Sequence, residues 1–81
     1  MQLLILTPTK IIFDAKAQGV SLPGIAGKFQ VLAGHAPLVS PLSFGEIIAE
    51  TDTGQKKFTI EAGFVDVQNN KVTVLTSSMP T

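Results

Sequence analysis

The chain is 81 residues long, about half of the ~150 residues that serve as a soft prior for a domain, so it is one small domain or part of one. Apolar residues make up 44% and charged residues 15%, a balance that excludes a disordered tail. Six lysines offset six acidic residues, with no arginine and no cysteine. That composition argues against a nucleic-acid-binding face and a polybasic membrane anchor, and it excludes a disulfide framework and a thiolate zinc site.

In chain order, Met1–Leu6 is the first predicted strand. Its apolar run Leu3-Leu4-Ile5-Leu6 is far short of the ~20 residues of a spanning helix. The start has no basic region ahead of Thr7-Pro8-Thr9-Lys10, so it does not read as a signal peptide. The segment 9–18 has the best helical spacing, but consecutive Ile11, Ile12 and Phe13 favour a strand over Lys10–Asp14. Gly19–Leu22 and Lys28–Leu32 follow as short strands, and Ile47–Thr51 leads through an Asp52-Thr53-Gly54 turn to a strand from Lys56. Phe58, Ile60 and Ala62 alternate with Lys57, Thr59 and Glu61, the period of a half-buried strand. After Gly63, Val65 and Val67 share one face, and Asp66 and Gln68 the other. Asn69-Asn70 suits a two-residue turn, which would pair Val67 with Val72, Val65 with Val74 and Asp66 with Thr73. Seven or more strands at such spacing indicate an all-β sandwich, a single domain over residues 1–81. Ser77–Thr81 is expected to fray.

Catalytic chemistry is hard to assemble from these residues. A nucleophilic triad needs a base, and the sequence holds one histidine, His35. A hydrolase would have to pair it with Ser40 or Ser43, without any G-x-S-x-G elbow. Metal ligation has one imidazole, no thiolate and no acidic cluster of calcium-loop spacing. Gly24-Ile25-Ala26-Gly27-Lys28 resembles part of a phosphate loop, but Leu22 and Phe29 stand where that pattern needs Gly and Ser or Thr. A small-ligand-binding sandwich is a further reading, weakened for sugars by the absence of Trp and Tyr. No cofactor is expected.

From Ala17 to Gly45 the only formal charge is Lys28. Charge depletion over turn-rich apolar sequence fits the centre of a protein–protein interface, and equally a packed loop covering one end of the sandwich.

Leu22-Pro23-Gly24 followed by Gly27-Lys28-Phe29-Gln30-Val31-Leu32-Ala33-Gly34-His35-Ala36-Pro37-Leu38 resembles the L-P-G…G-E-x-G-v-L-p-G-H-A-P-L signature of the epsilon subunit of F-type ATP synthases. Thr7-Pro8 with Phe13 resembles that family's opening strand pair. The run from Gly63-Phe64-Val65-Asp66-Val67 to Val72-Thr73-Val74-Leu75 resembles its closing motif. The resemblance implies the family's N-terminal domain, a flattened β-sandwich of about ten short strands. Its implied role is non-catalytic: a central-stalk subunit that binds gamma and the c-ring and couples proton-driven rotation to ATP synthesis. It would act at the cytoplasmic face of a bacterial inner membrane, peripheral and without insertion. The gamma-facing positions would be Thr7, Gly34, His35, Ala36, Pro37, Leu38 and Ser40, and the c-ring-facing loop Gly27, Lys28 and Phe29. Lys28 departs from the family, whose block carries an acid there; Gln30 and Ala33 replace its usual Gly and Pro. The family's C-terminal helical hairpin, to which ATP binding and inhibition of hydrolysis belong, has no counterpart in these residues, so no ATP binding is implied.

Overall fold

The computed structural model describes residues 1–77. Nine strands lie among them: β1 (Gln2–Leu6), β2 (Ile11–Lys16), β3 (Gly19–Gly24), β4 (Gly27–Leu32), β5 (Leu38–Leu42), β6 (Gly45–Thr51), β7 (Gly54–Ile60), β8 (Gly63–Gln68) and β9 (Lys71–Thr76). The expected fraying of Ser77–Thr81 falls, beyond Ser77, outside the described residues.

Hydrogen-bonded neighbours run β2-β1-β9-β8-β5-β3-β6-β7, and β4 also pairs with β3. The β3–β5 link is the single pair Gly24↔Leu42. The path therefore folds at that corner into a five-strand layer, β2-β1-β9-β8-β5, and a four-strand layer, β4-β3-β6-β7. The molecule measures 28 × 27 × 20 Å, so the sandwich is flattened as the resemblance implied.

Alternation along the strands makes the core. Leu3, Ile5, Val65, Val67, Val72 and Val74 come from the five-strand layer, and Val20, Leu22, Val31, Ile47, Ala49 and Ile60 from the other; all are buried in one cluster. The β8–β9 hairpin has the expected register, Val67↔Val72, Asp66↔Thr73 and Val65↔Val74. Asn69 and Asn70 take φ of 52° and 59°, the left-handed pair that a primed two-residue turn demands and that Asn tolerates. The β6–β7 turn falls at Asp52-Thr53, as expected, with Gly54 at φ 111°.

Two expectations are corrected. The stretch 38–42, read as interface or packed loop, is strand β5, antiparallel to β8 from Leu38↔Val67 to Leu42↔Gly63. The half-buried alternation proposed to reach Ala62 stops at Ile60: Ala62 is exposed in the bend between β7 and β8. The chain must turn there so that Gly63 can lie against β9, where a Cβ would meet the Leu75 carbonyl oxygen at 2.3 Å. An unforeseen element is the parallel β1–β9 pair, Leu3↔Val72 and Ile5↔Val74, which seats the first strand beside the last.

Candidate partner-binding surface

The loop between β4 and β5 is shaped by a tight turn. The His35 N–H donates to the Leu32 carbonyl at 3.1 Å, and Gly34 between them has φ 82°. These are the marks of a type II turn, whose third residue needs positive φ. The Gly34 N–H donates to Asn70 Oδ1 at 3.0 Å, joining the loop to the β8–β9 turn. His35 Nδ1 lies 2.6 Å from the Ala36 carbonyl oxygen, a contact that requires the proton on that nitrogen. Gly34, His35, Ala36 and Pro37 are exposed together. Leu38 is half-buried against the core. Ser40 is half-buried two residues on, at the β5 positions shared by Leu38 and Leu42.

Gly27, Lys28 and Phe29 open β4 just after the tip of the β3–β4 hairpin, in register Gly24↔Gly27, Pro23↔Lys28 and Leu22↔Phe29. Neither Ile25 nor Ala26 at the tip has positive φ, so the left-handed step falls on Gly27, φ 133°. Lys28 is exposed. Phe29 turns the other way: its ring lies over Gly24, where a Cβ would approach it to 2.9 Å, and packs on the core. Ile25 at the tip is 67% exposed.

Thr7 sits apart from the Gly34–Leu38 loop. It follows Leu6, which pairs with Leu75 at the far end of β9, whereas Leu38 pairs with Val67 near the Asn69-Asn70 turn. Its side chain is buried and serves its own turn, accepting from the Lys10 N–H at 3.2 Å. By register, Thr7 and the β3–β4 tip share one end of the sandwich, and the Gly34–Leu38 loop occupies the other.

Sequence reasoning missed an apolar row on the outside of the five-strand layer. Ile11↔Leu6, Leu6↔Leu75, Leu75↔Phe64 and Phe64↔Pro41 stand side by side across β2, β1, β9, β8 and β5. Ile11 is 63%, Phe64 60% and Leu75 45% exposed. An open apolar cleft of about 320 Å³, lined by Pro8, Ala62, Gly63, Phe64, Leu75 and Thr76 among others, continues the row. A contiguous exposed apolar strip makes this face the candidate surface for a partner. The signal lay in the outward-facing positions of strands far apart in sequence, and only the register assembles it.

The arrangement offers little acid–base chemistry. Ser40 Oγ donates to the Pro41 carbonyl at 3.3 Å, and Ser43 Oγ lies 3.3 Å from that of Pro23, so neither hydroxyl is poised on the imidazole. Among the described residues no three His, Asp or Glu side chains gather as a metal site. Among them, too, no helix is long and apolar enough to cross a membrane.

Comparison with known proteins identifies relatives of the whole fold. The family model for the ATP synthase delta/epsilon chain β-sandwich domain matches residues 1–80. The ATP synthase epsilon chain of Chlorobium limicola is 38% identical over 76 residues, covering 93% of this chain and 86% of that protein. That of Lawsonia intracellularis is 38% identical over 78 residues, covering 96% of this chain and 59% of its own length. In the cryo-EM structure of the Euglena gracilis mitochondrial ATP synthase (OSCP/F1/c-ring), one chain has the same fold with a TM-score of 0.88 at 23% identity, over 96% of this chain and 51% of that one.

Proposed function

The chain belongs to the delta/epsilon-chain β-sandwich family of ATP synthases, and on that premise we propose that it is a non-catalytic central-stalk subunit that couples proton-driven rotation to ATP synthesis. In this reading it grips the gamma subunit and rests on the c-ring, peripheral to the membrane. It does so with surfaces and without a reactive centre. The observation that carries the reading is the exposed apolar row Ile11–Leu6–Leu75–Phe64–Pro41 on a chain with family-wide similarity. A transmission element needs a broad, well-packed contact, and such contacts have apolar centres.

The positions assigned to two partners support the same picture. Gly34, His35, Ala36, Pro37 and Leu38 cluster at one end of the sandwich, for gamma. Gly27 and Lys28 stand at the other, for the ring, with Phe29 bracing their hairpin from the core side. Thr7, at that second end, serves the gamma contact by holding the β1–β2 turn beside the apolar row, which gamma would cover along the outer face of the five-strand layer, and Ser40 by its place in β5 next to Pro41.

The test is co-expression with the cognate gamma subunit followed by size-exclusion chromatography. A one-to-one complex is expected, disrupted by His35→Asp without loss of fold. Two separate folded peaks from the wild-type pair would overturn the reading.

A further inference from the structure

We infer that Asn70 is a positioning residue for the Gly34–Leu38 recognition loop, an inference that rests on the proposed role of that loop in binding gamma. In a type II turn the fourth residue's N–H is satisfied within the turn, here by His35 to Leu32. The third residue's N–H points away from the turn and is open to an acceptor outside it. For Gly34 that acceptor is Asn70 Oδ1, at 3.0 Å and across 36 residues of sequence.

The β8–β9 turn places the acceptor. Asn69 and Asn70 both hold left-handed backbone, φ 52° and 59°, a conformation that glycine would serve as well. Asn70 does more than tolerate it. Its backbone is anchored on either side by the ladder pair Gln68↔Lys71, so its short side chain reaches from a paired hairpin to the β4–β5 connection. Gly34, by contrast, has nothing within 4 Å of where a Cβ would stand, so packing does not fix the turn's place. The hydrogen bond that Gly34 donates to Asn70 is what ties the orientation of His35 and Ala36 to the core, through a hairpin whose Val67 and Val72 are buried.

The experiment compares Asn70→Gly, Asn70→Asp and Asn69→Gly. Two quantities are read: the dissociation constant for cognate gamma, and the backbone order parameters of Gly34 and His35 in the free protein. Asn70→Gly keeps the left-handed turn and removes the acceptor. It should weaken binding roughly fivefold, the scale of one neutral hydrogen bond, and lower both order parameters. Asn70→Asp keeps an acceptor oxygen and should restore both. Asn69→Gly alters the same turn without touching Gly34 and should change neither. Unchanged order parameters in Asn70→Gly, an equal loss of binding in Asn69→Gly, or loosened order parameters with unchanged affinity would each overturn the inference. Failure of the wild type to bind gamma would instead sink the functional reading, and the order parameters would still report on the tether.

Discussion

Phe13 on β2 and Phe58 on β7 meet with ring centroids 5.3 Å apart and planes tilted by 57°, joining the two ends of the hydrogen-bonded strand path. β2 and β7 are not ladder neighbours, so side chains close this side of the sandwich. Gln18 Nε2 adds a hydrogen bond to Asp52 Oδ1, and the Gln18 N–H donates to the Glu50 carbonyl at 2.8 Å. Tilted aromatic pairs contribute about 0.5–1.5 kcal/mol beyond the area they bury. A double-mutant cycle of Phe13→Ala and Phe58→Ala, followed by urea denaturation, should give a coupling of about 1 kcal/mol. Strict additivity would mean that the rings merely fill separate space.

Gly63 presents a different constraint. Its backbone is not left-handed, yet a Cβ would lie 2.3 Å from the Leu75 carbonyl oxygen and 3.1 Å from Thr76 Cα. Both are backbone atoms of the paired strand and cannot swing aside. Gly63→Ala must therefore push β8 from β9 and should cost about 2 kcal/mol or more. Gly27→Ala meets no atom within 4 Å and pays through its φ of 133° alone; about 1–2 kcal/mol is expected. Denaturation midpoints in the opposite order would refute this ranking.

Local chemistry explains which parts were legible in the sequence. The β8–β9 register could be read because one turn and one alternation lie within a dozen residues, and both point the same way. β5 could not, because Pro41 and Ser40 dilute its alternation and its partner β8 lies some twenty-five residues downstream. The parallel β1–β9 pair is a contact between opposite ends of the chain, for which no local pattern exists. The Gly34–Leu38 loop was visible as a motif, but its bond to Asn70 was not. Phe29 and Leu38 read as displayed residues, yet strand alternation turns both toward the core.

The apolar row yields a direct test of the partner surface. Phe64 is exposed, so Phe64→Asp should leave stability within about 0.5 kcal/mol. At the centre of a dry contact, the same carboxylate would be buried without a partner. Affinity for gamma, measured by titration, should then fall at least tenfold, while Gln55→Asp, exposed on β7 in the other layer, should change it little. Equal behaviour of the two variants would show that the row is not covered in the complex.

Lys28 sets the electrostatics of the hairpin tip. It is exposed, its cross-strand neighbour is Pro23, and no other formal charge lies between Ala17 and Gly45. On the proposed c-ring-facing surface, this exposed ammonium would favour a partner loop that carries a carboxylate, because like charges brought together at an interface are costly. In this protein, then, the polar loop of the cognate c-ring should be acidic where it faces the tip. Lys28→Glu should weaken binding to isolated c-ring several-fold at low salt, with Lys28→Gln in between. The differences should shrink as ionic strength rises and the screening length falls to about 3 Å at 1 M. Tighter binding by Lys28→Glu would show that the facing loop is basic and that Lys28 opposes the contact it was expected to make.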